Sequence, residues 1–216
     1  MPFTAVIFDL DGTLIDSAPD IRASANHMLE GFGAGPLDLE TVISFIGNGI
    51  PKLVERCLAH AALPATQQAD TLAVLSKNYN ATPMTLSATY RAAGSLLTDL
   101  ACRNVAMGIC TNKPEAPARA ILEGLGIAGQ FQTIIGGDTL PVRKPDPAPL
   151  IAAISALGAT PENTLYVGDS ETDYLTARNA GIPIAFFTGG YQRRPIEDFR
   201  PYLTVSHLSD IRDAFA

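Results

Sequence analysis

Five short apolar runs constrain what this chain can fold into: TAVIFD at 4–9, VAMGICT at 105–111, TIIGG at 133–137, TLYVGD at 164–169 and PIAFFT at 183–188. Each is rich in β-branched or aromatic residues, and none alternates cleanly with polar ones. Near-continuous apolar strands of this kind are buried on both faces, which is the habit of a parallel sheet. The stretches PEAPARAILEGLG (114–126), PAPLIAAISALG (147–158) and ETDYLTARNAG (171–181) fit helices, each closing on a glycine. Strands alternating with helices predict an α/β fold with a doubly wound, mostly parallel sheet and a Rossmann-like core.

Between Leu14 and Met84 the strand signal disappears. Ile21, Ala25, Met28, Leu29 and Phe32 keep helical spacing, and SAPD (17–20) reads as a capping box with proline in the first turn. Leu53, Val54, Cys57, Leu58 and Ala61 repeat the pattern, as do Leu72, Leu75 and Tyr79. An insertion of about seventy residues is too long for a crossover helix. It predicts a helical cap domain over 15–84, set into a catalytic core formed by 1–14 and 85–216.

With 47% apolar residues the chain has material for a sizeable core, and a net charge of −7 without any stripe of Lys and Arg argues against a nucleic-acid partner. Three scattered cysteines match neither a disulfide framework nor a zinc pattern, so a reducing compartment is expected. A first strand starting by Thr4 leaves no room for a signal peptide, and no apolar run reaches the ~20 residues that span a bilayer. A cytoplasmic protein without a membrane partner is the expectation.

Parallel sheets bind ligands beyond the carboxyl ends of their strands. Those ends here carry Asp9 and Asp11, Thr111 and Asn112, and Asp169; Lys144 lies in RKPDP (143–147), just before a helix. A lone Asp-x-Asp is more often a solvated turn or a cap. In an extended segment, however, residues two apart point the same way, so both carboxylates would converge on one point. Two unit charges about 4 Å apart repel by roughly 4 kcal/mol at an effective dielectric near 20, and Asp169 worsens the crowding. Either one carboxyl is protonated or a divalent cation is bound, and oxygen-only donors favour Mg²⁺. Asp173 has two readings, a partner of Ser170 in a capping box or a further metal ligand. Thr111 reads as an ordinary end-of-strand threonine or as part of this site. Lys144 reads as a solvated lysine or as a site residue, its loop stiffened by Pro145 and Pro147.

Four motifs thus stand in order: DLDGT (9–13), TN (111–112), KPDP (144–147) and GDSETD (168–173). Together they resemble the haloacid dehalogenase superfamily, in its phosphatase branch with a helical cap inserted after the first motif. The resemblance covers essentially the whole chain, and IGNGIPKLVERCL (46–58), CTNKPEAPA (110–118), IIGGDTLPVRKPDPAPL (134–150) and YVGDSETDYLTARNAGIP (166–183) extend it. One stretch departs: where such proteins commonly carry a Pro-Gly turn, this chain reads YRAAG (90–94).

The resemblance implies Mg²⁺-dependent hydrolysis of a small phosphate monoester through an aspartyl-phosphate. Asp9 would be the nucleophile and Asp11 the acid and base. Asp9, the main-chain carbonyl of Asp11 and Asp169 would hold the metal, with Asp173 a further candidate. Thr111, Asn112 and Lys144 would bind the phosphoryl group, Lys113 would be a second local cation, and Gly12 would let the backbone come close. In the cap, Asn48 and either Lys52 or Arg56 would meet the rest of the substrate, a carboxylate included; a solvated helix position is the other reading of those two cations. A sugar-phosphate phosphatase, a pyrophosphatase and a phosphosugar mutase are alternatives within the superfamily. A dehalogenase would have no use for Asp11. A phospho-accepting signalling domain, at ~120 residues on the usual doubly wound plan, would not account for the insertion.

Overall fold

The computed structural model describes residues 3–81, 86–192 and 195–216, without the side chains of 76–81. In chain order the elements are β1 (Ala5–Phe8), β2 (Ile15–Asp16), α1 (Ala18–Gly31), α2 (Leu39–Phe45), α3 (Ile50–His60), α4 (Gln68–Ala81) and β3 (Ala88–Thr89). They continue with α5 (Ala93–Cys102), β4 (Ala106–Cys110), α6 (Glu115–Gly124), β5 (Thr133–Ile135), α7 (Ala148–Ala156), β6 (Thr164–Gly168), α8 (Glu171–Ala180), β7 (Ile184–Phe187) and β8 (Leu203–Val205). The chain divides into two compact units, one made of the segments before Ser17 and after Ser87, the other of Ser17–Ser87. The far boundary expected for the insertion, residue 84, lies outside the described residues.

The first unit is built on a six-stranded sheet in the order β5-β4-β1-β6-β7-β8, parallel in every pairing. The five apolar runs form its first five strands in space, and β1, β6 and β7 are buried along their whole length, as strands covered on both faces must be. Ile7, Leu150, Tyr166, Ala177 and Phe186 belong to one apolar cluster between the sheet and its helices. Two strand features were not expected. The edge strand β8 is only partly buried and has no apolar run to announce it. β2 and β3 form a separate antiparallel ribbon, Ile15 opposite Thr89 and Asp16 opposite Ala88, too short for any periodicity to register.

The second unit packs α1 to α4 around Ile21, Met28, Leu29, Val42, Leu53, Val54, Cys57 and Leu75. These are largely the residues picked out by helical spacing, though the side chain of Tyr79 lies outside the described residues. The capping box at SAPD is corrected. Ser17 is the N-cap residue but makes no side-chain capping bond, and its backbone is helical rather than extended. Asp20 turns instead to the other end of the unit, where it accepts from Ser87 N at 2.7 Å and from Leu86 N at 3.2 Å. Closing the two ends of the inserted segment thus takes the carboxylate that local capping would have used. No helix among the described residues is long and apolar enough to cross a membrane.

Candidate active site

Phe8 lies opposite both Ile109 and Val167, so β1, β4 and β6 end side by side. The residues just beyond them, Asp9, Thr111 and Asp169, are therefore neighbours at the carboxyl edge of the sheet. All three are buried.

Lys144 reaches the same edge from the loop before α7 and is 3% exposed. Its Nζ stands 2.9 Å from Asp9 Oδ1, donates to Asp173 Oδ1 at 2.7 Å and donates to the Tyr166 hydroxyl at 3.0 Å. Burial alone would favour loss of the proton. The Asp173 and Asp9 carboxylates outweigh it and hold the ammonium above the ordinary lysine range. This lysine is a fixed point charge, not a solvated one.

Asp173 does the capping and anchors the lysine as well. Its backbone N–H donates to Ser170 Oγ at 3.3 Å, and its Oδ2 accepts from Ser170 N at 3.0 Å, from Asp169 N at 3.3 Å and from Ser170 Oγ at 2.6 Å. Its Oδ1 accepts from Lys144 and, at 2.7 Å, from the Tyr166 hydroxyl. Burial would raise this acid, but Lys144, Ser170 and Tyr166 together hold it below the usual carboxylate range.

Asp169 is clamped on both oxygens. Oδ1 accepts from Thr13 Oγ1 at 2.7 Å, and Oδ2 accepts from Tyr191 N at 2.6 Å. Two glycines make room for it. A Cβ on Gly12, where φ is +91°, would fall 2.5 Å from Asp169 Oδ2; one on Gly190 would fall 2.3 Å from that oxygen and from the Gly12 carbonyl oxygen. The space at Gly12 is thus taken up by Asp169 itself and by the Tyr191 ring.

The expectation that Asp9 and Asp11 converge on one point is corrected. The sheet strand ends at Phe8, and Asp11 bridges to Ile15 instead of following it: Leu14 N and Ile15 N both donate to Leu10 O, and Gly12 N donates to Ile15 O, which closes a tight loop. Carboxylate oxygens of Asp9, Asp169 and Asp173 lie within 4.8 Å of one another, whereas Asp11 turns to Lys113, whose Nζ donates to Oδ1 at 2.9 Å and to Oδ2 at 3.3 Å. Thr111 Oγ1 accepts from Lys113 N at 3.2 Å, and Asn112 Nδ2 donates to the Lys144 carbonyl at 3.1 Å. In the other unit, Arg56 donates to Asn48 Oδ1 at 2.8 Å and to the Phe45 carbonyl at 2.7 Å, fixing the loop before α3. Lys52 is exposed and pairs with Glu55 at 2.6 Å.

Thr13, Tyr166, Gly190 and Tyr191 were not singled out in advance. Thr13 lies inside the DLDGT motif, which was the available signal. The Tyr166 hydroxyl is hidden in a core strand, and the 190–191 loop carries no pattern.

The site fits a hard divalent cation. Its donors are oxygens, and four carboxyl groups face two ammonium groups, which leaves an excess of two negative charges once all four are ionised. Burial, and then Asp173, push the Asp9 carboxyl up to about 7; burial, then Asp173 and Asp9, push Asp169 well above the carboxylate range. The Lys144 ammonium, 2.9 Å from Asp9 Oδ1, works against that rise.

A carboxylate cluster at the carboxyl edge of a parallel sheet, with a buried lysine opposite, defines an α/β enzyme site. The model of the haloacid dehalogenase-like hydrolase family matches residues 6–187, and the chain belongs to that family. Among its relatives, a phosphoglycolate phosphatase of Cereibacter sphaeroides (strain ATCC 17025 / ATH 2.4.3) is 45% identical over 210 residues, 96% of this chain and 95% of its own. A phosphoglycolate phosphatase of Rhodospirillum rubrum is 43% identical over 215 residues, 97% of this chain and 89% of its own. A crystal structure described as that of a predicted phosphoglycolate phosphatase from Haemophilus somnus 129pt matches with a TM-score of 0.89 and 29% identity, covering 98% of this chain and 97% of that one.

Proposed function

We propose that this hydrolase cleaves small phosphoric monoesters, and 2-phosphoglycolate in particular, to an alcohol and inorganic phosphate. The observation that carries the reading is the placement of Asp9, buried at the carboxyl edge of the sheet beside Lys144 at 2.9 Å. A carboxylate so placed suits attack on phosphorus, giving an aspartyl-phosphate that water then cleaves.

Asp9 supplies the attacking oxygen. Lys144, locked by Asp173 and Tyr166, presents a charge that cannot drift from the transferring phosphoryl group. Thr111 and Asn112 supply the remaining phosphoryl contacts. Asp11 protonates the departing oxygen and later takes a proton from the attacking water. Asp9, the Asp11 carbonyl and Asp169 would hold Mg²⁺, which when bound neutralises charge between nucleophile and phosphate. With five hydrogen bonds on its two oxygens, Asp173 serves this reading as the anchor of Lys144 rather than as a ligand.

The choice of 2-phosphoglycolate rests on the named relatives. The test is a panel of phosphate esters assayed with Mg²⁺. Preferential turnover of 2-phosphoglycolate is expected; turnover no better than that of an aryl phosphate rejects the narrow assignment. Undiminished phosphate release by Asp9→Asn rejects the mechanism.

A further inference from the structure

Lys113 lies one residue beyond the TN motif, where it was expected to add only local charge. It is 5% exposed, so a long cationic side chain has been withdrawn from water. That is costly unless the charge meets a counter-ion. It meets Asp11, with its ammonium donating to both carboxylate oxygens, at 2.9 and 3.3 Å. The second cation of the site therefore goes to a different carboxylate from the first: Lys144 stands between Asp9 and Asp173, while Lys113 stands on Asp11. The backbone around Lys113 is also tied down, its N–H on Thr111 Oγ1 at 3.2 Å and its carbonyl accepting from Gly137 N at 2.8 Å.

We infer that Lys113 is a positioning residue for Asp11. Proton delivery to a leaving oxygen needs the carboxyl group of the acid aimed in one direction. The fork of two hydrogen bonds from Lys113 provides that aim. This rests on the phosphomonoester reading above. In that step an Asp9 oxygen forms a bond to phosphorus, the bond from phosphorus to the ester oxygen breaks, and a proton that Asp11 has taken up from water beforehand passes to that oxygen. Asp11 returns to the carboxylate that Lys113 holds in this structure, so Lys113 favours the state that follows proton delivery. The contribution of Lys113 is therefore largest where the leaving oxygen is most basic.

The test is kcat/KM, which reports only the steps through release of the leaving group, for three esters. They are 2-phosphoglycolate, ethyl phosphate and p-nitrophenyl phosphate, whose phenolate leaves without help. In Lys113→Met the two alkyl esters are expected to lose about tenfold or more and the aryl ester less than about threefold, against the 10²–10⁴ typical of a whole general acid. In an Asp11→Asn background the same substitution should cost the alkyl esters nothing further. Equal losses on all three esters would mean a merely structural lysine. A loss confined to 2-phosphoglycolate would mean that Lys113 binds the substrate carboxylate. Either result overturns the inference. A crystal structure of metal-free Lys113→Met gives a readout independent of activity: Asp11 is expected to leave its present rotamer, and an unmoved Asp11 overturns the inference. If the wild-type protein cleaves none of the esters, the functional reading fails while the rotamer result still decides the role of Lys113. Lys113→Gln, which keeps one donor, is the second variant should Lys113→Met not fold.

Discussion

The Lys144 ammonium lies 2.7 Å from Asp173 Oδ1, and neither side chain reaches solvent to any extent. Removing one partner of a buried pair leaves the other uncompensated, which costs about 3–5 kcal/mol. Asp9 remains beside the lysine, so Asp173→Asn is expected near the lower end, about 3 kcal/mol by urea unfolding. Tyr166→Phe removes only a hydroxyl from the same network and is expected to cost about 1 kcal/mol. The two variants should also order the same way in activity, Asp173→Asn losing more, because both act by loosening Lys144. Equal stability of Asp173→Asn and wild type would remove Asp173 as the anchor.

Burial, and then Asp173, raise the Asp9 carboxyl to about 7, so the folded protein keeps a proton that the unfolded chain gives up near pH 4. The native state thus binds more protons across that window, and stability must fall as pH rises from about 4 to 7. For this one group the window spans on the order of 4 kcal/mol, and Asp169 shifts in the same direction. Metal-free protein is therefore expected to melt lower at pH 8 than at pH 5.5, with the slope flattened in Asp9→Asn. Added Mg²⁺ favours the ionised carboxylates, so its stabilising effect should be larger at pH 8. Melting curves at the two pH values, with Mg²⁺ and with a chelator, check both signs.

What was legible in the sequence follows from how each feature is encoded. The strands and helices of the sheet unit repeat a burial pattern over many residues, so TLYVGD and ETDYLTARNAG announce β6 and α8. Once the strands are placed, Asp9, Thr111 and Asp169 follow, because parallel strands end together. The rotation of a single carboxylate is not encoded that way. Asp11 turns to Lys113 beside the tight loop after β1, and Tyr191 reaches Asp169 from 22 residues away, from the loop after β7. Asp20 leaves its expected capping role for a contact 67 residues distant at Ser87. Contacts of this kind are decided by the assembled fold, and local spacing carries no trace of them.

The departure at YRAAG has a physical consequence. Ala93 N donates to Tyr90 O at 3.0 Å, and Ala92 has φ 69° and ψ −4°, the third position of a type II turn. Glycine is favoured there, and an alanine in left-handed backbone carries about 1 kcal/mol of strain. Ala92→Gly relieves this but frees the unfolded chain, at a cost of about 0.4–1 kcal/mol. A small net gain is expected, about 0.3 kcal/mol or roughly 1 °C in Tm. A lower Tm would show that the turn is held by its neighbours at no strain to Ala92.

Gly190 offers the sharpest test of the Asp169 cradle. An added Cβ would fall 2.3 Å from Asp169 Cβ, from Asp169 Oδ2 and from the Gly12 carbonyl oxygen, all distances at which something must move. The carbonyl belongs to the tight loop after β1, and the carboxylate is held on its far side by Thr13. The strain therefore falls on the Tyr191 N to Asp169 Oδ2 bond or on the rotamer of Asp169. Overpacking of this kind costs about 1–3 kcal/mol, which leaves the protein folded. Disturbing the partners that orient a metal ligand lowers affinity by about 10–100-fold. Gly190→Ala is thus expected to keep its circular dichroism spectrum while Mg²⁺ binding by calorimetry weakens by about that factor. Thr13→Val, which removes the other clamp without adding bulk, should weaken it in the same direction. Wild-type Mg²⁺ affinity in both variants would take Asp169 out of the metal site.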